Sequence, residues 1–248
     1  MPRNVLLTCL FLAGFVAAPA FAADAPDFSG IWMPAANADT VLTADKLPLT
    51  DKGKAALAAF DPRRNDSTRF CLPYGTPRNV LSTAAYPIEI LQRPERLTLI
   101  FDQLGDVRRI FLDGRKHPDD LWPNWLGHSI GHWDGETLVV DTVAMSQDSV
   151  LTDDGLPHSD QMHVSERLSL VGDEDGDWLE DEITISDPVM YSAPLKLVRK
   201  FRRAPHAQMS EGSGICLLNQ WRRRLEQRNH VLADKAGETQ PAEGGSSQ

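Results

Sequence analysis

Long hydrophobic runs are absent from this sequence beyond its first two dozen residues. A membrane-spanning helix needs about 20 consecutive apolar residues, so we expect no membrane insertion by the rest of the chain. Basic residues are also in the minority: 25 lysines and arginines face 35 acidic residues, for a formal net charge of −10. Nucleic acids and anionic membrane surfaces attract basic patches, and this charge balance therefore argues against both as partners.

Cysteine is scarce as well, with three residues, of which Cys9 lies in the N-terminal segment. The chain has no HExxH or CxxC motif, no P-loop and no GxGxxG, so the common metal, redox and nucleotide signatures are missing. Cys71 and Cys216 remain as an even pair. In an oxidising compartment such a pair favours one disulfide bond, and two buried free thiols are the alternative.

Residues 1–22 have the features of a secretory signal peptide. Arg3 is followed by an apolar run from Val5 to about Val16, and residues 20–22 offer small residues at a cleavage site. The apolar run is shorter than a membrane span requires, which disfavours a membrane anchor. We predict cleavage near Ala22 and a periplasmic or secreted protein.

The remaining chain divides into one helix and about nine short strands. Thr50 is a suitable N-cap for a helix over 50–60, which Asp61-Pro62 ends, and Asp134-Gly135 is a strong hairpin signal. Alternating apolar residues between turn residues predict strands at 27–32, 88–92, 97–102, 107–112, 128–133, 136–142, 162–170, 178–186 and 195–203.

This order of elements contains no alternation of strand and helix, so it predicts a mainly β fold. We expect a single antiparallel lipocalin-like β-barrel with a short N-terminal helix, and a β-sandwich is the alternative. The expected organisation is a signal peptide over 1–22, an N-terminal strand, helix and loop region over 23–87, the barrel core over 88–205, a helical extension over 206–232 and a disordered tail over 233–248.

Three predicted strands carry an ionisable residue within an apolar face: Glu166, Asp181 and Arg199. A buried charge is costly unless it is paired and hydrogen-bonded. These residues predict either a polar spot inside a ligand cavity or an ion-pair network that closes one end of the barrel. Arg202 or Arg203 is also placed to stack on Trp32.

Residues 117–142 contain three of the seven histidines and three of the six tryptophans. His128 and His132 share one face of a predicted strand, where ~3.3 Å per residue separates them by ~13 Å, so they cannot hold one metal ion together. His117 lies in a loop, and His158 lies in another loop beside Asp160. Histidine near a carboxylate suits general acid–base catalysis, and three such histidines also suit Zn²⁺ or Cu²⁺.

Several motifs occur together in order: CLPYGTPR at 71–78, DGRKHP at 113–118, GHSIGHWDGETLVVDT at 127–142 and Glu166-Arg167. With these motifs, residues 26–205 resemble a large, mostly uncharacterised family of exported bacterial proteins. The resemblance implies export but no particular reaction. Members often have Asp at the position of His128, which argues against an obligatory metal ligand there. Separately, Gly30-Ile31-Trp32 is similar to the short lipocalin and calycin pattern.

Taken together, these patterns predict an exported protein that binds a small apolar or aromatic molecule in a cavity. The candidate site residues are His117, His128, His158 and Asp160 at the cavity mouth, with Glu166 deeper. If the protein is an enzyme, a cofactor-independent lyase, isomerase or hydrolase step with histidine as acid or base is expected. The alternatives are a ligand carrier without chemistry and a protein that binds Zn²⁺ or Cu²⁺.

Overall fold

The computed structural model describes residues 25–35, 42, 44–70, 72–81, 86–173, 176–209, 222, 223 and 226. The predicted signal peptide, the Cys71–Cys216 disulfide, most of the helical extension and the tail over 233–248 lie outside these residues.

Strands dominate the described chain, which confirms the mainly β fold. Two-residue turns at Pro94-Glu95 and Gly135-Glu136 join β2 to β3 and β5 to β6, and the second lies one residue after the predicted Asp134-Gly135 turn. The strands are β1 Gly30–Pro34, β2 Ile88–Arg93, β3 Arg96–Phe101, β4 Val107–Phe111, β5 His128–Asp134, β6 Thr137–Val143, β7 His163–Asp173, β8 Gly176–Ser186 and β9 Leu195–Arg203.

These strands form a closed barrel in sequence order, and β1 pairs with both β2 and β9. The barrel confirms the predicted architecture, but β4 and β5 are parallel. Each antiparallel pair reverses the strand direction, and a full turn around a closed barrel must return to the starting direction, so the number of antiparallel pairs is even. Nine strands form nine neighbouring pairs, and therefore at least one pair must be parallel. The parallel pair falls at the connection over 112–127, which is long enough for the crossover that parallel neighbours require.

Among the described residues before 210, three short helices lie outside the barrel: α1 Asp51–Ala59, α2 Pro62–Asn65 and α3 Arg78–Leu81, with 3₁₀ turns at Ala44–Lys46 and Ser67–Phe70. Thr50 caps α1 as predicted, since its Oγ1 accepts a hydrogen bond from the Gly53 N–H at 3.1 Å. The same hydroxyl donates to the carbonyl of Val189 at 2.7 Å, which docks α1 onto the loop before β9. Among the described residues, no helix has the length and apolar character of a membrane span.

Side chains fill the barrel interior. Trp32 is fully buried, and the guanidinium of Arg203 lies 4.4 Å from its ring centroid, which confirms the predicted stacking. An internal pocket beside Trp32, Leu99 and Asp181 measures about 10 Å³, or roughly the volume that one water molecule needs. We therefore place no organic ligand in this internal pocket.

Candidate functional site

The five residues predicted to form one site lie in three places. His117 and His128 contact each other on the outside of the barrel. His158 is buried in the connection between β6 and β7, where Asp160 is exposed. Glu166 points into the barrel interior, because it shares the buried face of β7 with Val164 and Leu168.

The two outer histidines meet through their Nδ1 atoms, which are 2.7 Å apart. One Nδ1 must carry the hydrogen and the other must accept it, because two N–H groups at that distance would repel. The ring of His128 also stacks on Phe111, with centroids 5.5 Å apart. The pKa of His128 is lowered, mainly by desolvation and then by the positive charges of His117 and Arg115.

Asp141 and His163 extend this outer cluster along β6 and β7. The Asp141 carboxylate lies 3.7 Å from Nε2 of His117, and its other oxygen contacts Nε2 of His163. Sequence reasoning did not select Asp141 or His163, although both lie on the outward face that alternation assigns them. Within the described chain, no group of three or more His, Cys, Asp or Glu side chains is placed to hold a metal ion.

Glu166 belongs to a buried ion-pair network rather than to a pocket wall. Arg108 Nη1 donates to its Oε1 at 2.8 Å, and Nη2 contacts its Oε2. Arg108 also donates to Ser129 Oγ at 3.1 Å and to Thr142 Oγ1 at 2.8 Å. Beside this pair, burial and the charge of Glu166 raise the pKa of Asp181 well above its usual range.

Gly127-His128-Ser129-Ile130-Gly131 fits the spacing G-x-S-x-G of the nucleophile turn in α/β-hydrolases, although sequence reasoning passed over it. In that turn the serine sits between a strand and a helix. Here Ser129 lies within β5, is buried, and hydrogen-bonds to Arg108 and to Thr142 Oγ1 at 2.9 Å. The motif is therefore part of the barrel wall.

His158 makes two hydrogen bonds that determine its tautomer. Its Nδ1 lies 3.1 Å from the carbonyl oxygen of Ser159, and its Nε2 lies 2.7 Å from Ser149 Oγ. A carbonyl only accepts, so Nδ1 carries the hydrogen and donates it. Burial lowers the pKa of His158, and this effect outweighs the hydrogen bond to the Ser159 carbonyl and the negative charges of Asp187 and Asp148, which raise the pKa. The ring is therefore neutral near pH 7, and Nε2 accepts the Ser149 hydroxyl hydrogen.

Ser149 lines a pocket of about 480 Å³ between the helical segment after α1 and the connections over 112–127 and 144–162. We call this the connection pocket. Its walls combine two aromatic rings, aliphatic side chains and several polar groups. The lining residues are Arg64, Asn65, Ser67, Phe70, Leu72, Trp125, Gln147, Asp148, Ser149 and Val150.

The backbone around Gly75 positions Trp125 in this pocket. Gly75 has φ +77°, and a Cβ there would lie 2.6 Å from the carbonyl oxygen of Trp125. The N–H of Thr76 donates to that same carbonyl at 3.0 Å. Glycine at position 75 is therefore required by both its backbone conformation and the lack of space for a Cβ. A parallel bridge between Asn124 and Met145 joins the connection that carries Trp125 to the one that carries Ser149.

A buried cation ties the walls of the pocket together. Arg78 donates to Asp66 at 2.9 and 3.2 Å and to Asp153 Oδ1 at 2.8 Å. Its guanidinium also lies 4.7 Å from the ring centroid of Tyr74. Asp66 stands between the lining residues Asn65 and Ser67, so Arg78 holds the helical wall against the connection that carries Ser149.

No protein-family model matches this chain, and the comparison with curated proteins found no match. The resemblance to exported bacterial proteins therefore stays a prediction. Sequence reasoning missed the lining residues Trp125 and Ser149 as site residues. Trp125 was within reach, because it lies in the stretch 117–142 that the sequence marks as rich in His and Trp, whereas nothing in the sequence pairs Ser149 with His158.

Proposed function

We propose that this protein binds a small aromatic molecule in the connection pocket. The observation that carries the proposal is volume: the connection pocket has about 480 Å³, against about 10 Å³ for the pocket inside the barrel. Ligand pockets typically measure about 300–1,000 Å³. The proposed ligand thus keeps the aromatic character expected from the sequence but binds outside the barrel.

The lining chemistry supports an aromatic ligand with a polar substituent. Trp125 and Phe70 present ring surface, which favours stacked or edge contacts with another ring. Arg64 adds hydrogen-bond donors and the hydroxyl oxygen of Ser149 adds an acceptor, and a few such polar groups orient a ligand in its site. Of the five residues predicted for the site, His158 is joined to this pocket by its hydrogen bond to Ser149.

Saturation-transfer NMR with phenol, benzoate and acetophenone tests this proposal. At least one of the three should bind, and Trp125→Ala should weaken that binding at least tenfold. Trp122→Ala is the matched control, because Trp122 lies on the same connection but is 87% exposed and does not line the pocket. Equal weakening by both variants, or binding by neither protein nor variant, would overturn the proposal.

We also propose that the protein is exported and cleaved near Ala22. The support is the sequence of residues 1–22, with one arginine, an apolar run and small residues at the expected cleavage site. Intact-mass measurement and N-terminal sequencing of the protein from the periplasm or medium should show a chain that starts at Ala23. A full-length chain in the cytoplasm would contradict export.

A further inference from the structure

We propose that Ser149 and His158 form a nucleophile–base pair that hydrolyses small aryl esters in the connection pocket. This inference rests on the proposed function, because an ester must enter the pocket to reach Ser149. The pair joins a serine on the pocket wall to a buried histidine. Such a pair is the central element of serine-dependent acyl transfer on several unrelated folds.

The hydrogen-bond directions place the proton where the reaction needs it. The Ser159 carbonyl fixes the hydrogen on Nδ1 of His158, so the Nε2 lone pair faces Ser149 Oγ at 2.7 Å. A second acceptor, the carbonyl of Ser146, lies farther away at 3.2 Å. The histidine is therefore oriented as a general base by a backbone carbonyl, in the position that a carboxylate occupies in a triad.

Two carboxylates are placed to stabilise the imidazolium that forms when His158 accepts the proton. Asp187 accepts hydrogen bonds from the Ser159 N–H at 2.5 Å and from Ser159 Oγ at 2.9 Å, and Asp148 lines the pocket beside Ser149. Both carboxylates favour the protonated form of His158. Their charge thus opposes the cost of creating a cation in a buried position.

The reaction balances with water as the one co-reactant. Ser149 Oγ bonds to the ester carbonyl carbon while its proton moves to Nε2 of His158, and the carbonyl oxygen becomes negative. The C–O bond to the aryl group then breaks, and the leaving group takes the proton from His158. Water, deprotonated by His158, next attacks the acyl-serine and releases the carboxylic acid, which restores Ser149 and neutral His158.

The pocket lining selects the substrate class. Trp125 and Phe70 offer ring faces to an aromatic group, and the volume of about 480 Å³ fits a single substituted ring with a short acyl chain. An aryl oxide is also a good leaving group, so its departure needs little help from a general acid. Small aryl esters therefore match both the shape of the pocket and the catalytic groups beside it.

Covalent labelling of the full chain with a fluorophosphonate probe tests the nucleophile. Ser149 should carry the phosphonyl group, as located by peptide mass spectrometry, and Ser149→Ala should show none. His158→Gln should slow labelling by about 10²–10⁴-fold, the usual contribution of a general base. Ser169→Ala is the matched control, since Ser169 lies on the outer face of β7 away from the pocket, and it should label as the unmodified protein does.

Hydrolysis of 4-nitrophenyl acetate supplies the second readout. The unmodified protein should release nitrophenolate faster than Ser149→Ala, and its rate should fall as pH drops and His158 becomes protonated. A rate that is unchanged in Ser149→Ala would overturn the inference. Thermal melts of each variant confirm that a lost rate does not reflect lost folding.

The ligand-binding experiment separates failure of this inference from failure of the proposed function. If acetophenone, which has the ring and the acetyl group of phenyl acetate without the ester oxygen between them, binds in a Trp125-dependent manner while Ser149 stays unlabelled, the pocket is a binding site without this chemistry and the inference is wrong. If neither binding nor labelling occurs, both proposals fail. Labelling of the unmodified protein at Ser149 supports the inference without reference to any variant.

Discussion

Arg108 and Glu166 form a two-point ion pair inside a closed barrel, with side chains 1% and 2% exposed. The guanidinium also donates to Ser129 and Thr142, so its hydrogen-bonding capacity is largely used. A buried charge that keeps such partners is tolerated, whereas one that loses its partner is strongly destabilising. Glu166 is therefore part of the framework that holds β4, β5, β6 and β7 together.

Arg108→Met should destabilise the fold by about 3–5 kcal/mol, because it leaves the Glu166 carboxylate buried without its cation. Urea unfolding followed by circular dichroism measures the loss. Arg167→Met is the control: Arg167 and Asp134 form a pair at 3.1 Å with side chains 45% and 63% exposed, and such pairs contribute about 0–1 kcal/mol. Equal losses in the two variants would contradict a special role for the buried pair.

The free energy of unfolding of Asp181→Asn should increase, relative to that of the unmodified protein, as pH rises. Burial and then the charge of Glu166 raise the pKa of Asp181, so the folded state binds its proton more tightly than the unfolded state. The stability from this group is fully present below its unfolded pKa of about 3.9 and is lost as pH rises through the folded pKa. Unfolding free energies of both proteins at pH 4.5 and 8 test this, and a constant difference would contradict it.

His158→Gln should reduce the sensitivity of stability to mild acid. Burial lowers the pKa of His158, so its contribution is present above the unfolded pKa of about 6.5 and is lost as pH falls through the folded pKa. The unmodified protein should lose more unfolding free energy between pH 7.5 and 5 than His158→Gln does. Parallel losses would show that His158 is not buried in its neutral form.

Gly75→Ala should destabilise the protein more than Gly114→Ala. Both glycines have nearly the same positive φ, +77° and +76°, which costs an alanine roughly 1–2 kcal/mol. A Cβ at position 75 also meets the Trp125 carbonyl at 2.6 Å, whereas a Cβ at position 114 meets nothing within 4 Å. This overlap should add about 1–3 kcal/mol to the loss of unfolding free energy, as measured by denaturant unfolding. It should also weaken the binding of an aromatic ligand, because Trp125 must move.

His117→Ala should raise the pKa of His128. His117 contributes to the lowered pKa by its positive charge, and its ring also covers one side of His128. NMR titration of the His128 ring protons measures the change, and Trp122→Ala, on the same connection, controls for loosening of the loop. No change in the titration would show that the two rings are not in contact in solution.

Local patterns were enough to predict the strands, the hairpins and the Thr50 cap, because each depends on residues close in sequence. They do not decide which face of β4 is buried: Val107 and Phe111 are apolar, but Arg108 and Ile110 are the residues that are buried. An arginine faces inward there because Glu166, 58 residues later, compensates its charge. Alternation within one strand cannot reveal such a partner.

The candidate site was harder to predict for the same reason. His158 was selected as an acid–base residue beside Asp160, but Asp160 is exposed, and the partners of His158 are Ser149 and the Ser159 backbone. These residues lie in an irregular connection, where side-chain directions follow no repeating period. The connection pocket itself depends on contacts between segments far apart in sequence, as between Thr76 and Trp125.

The parallel pair β4–β5 is the narrowest seam of the barrel, with register pairs at Ile110–Ser129 and Phe111–Ile130. It is held by side chains on both sides: Arg108 bonds Ser129 on the inside, and Phe111 stacks on His128 on the outside. Because the number of strands is odd, the barrel contains this short parallel pair, where we expect the sheet to separate most easily. The stacking of His128 on Phe111 is one of the contacts that hold the pair together. A barrel that opens should part between β4 and β5 first, and the backbone amides that donate across this pair should exchange with solvent ahead of those in β7 and β8.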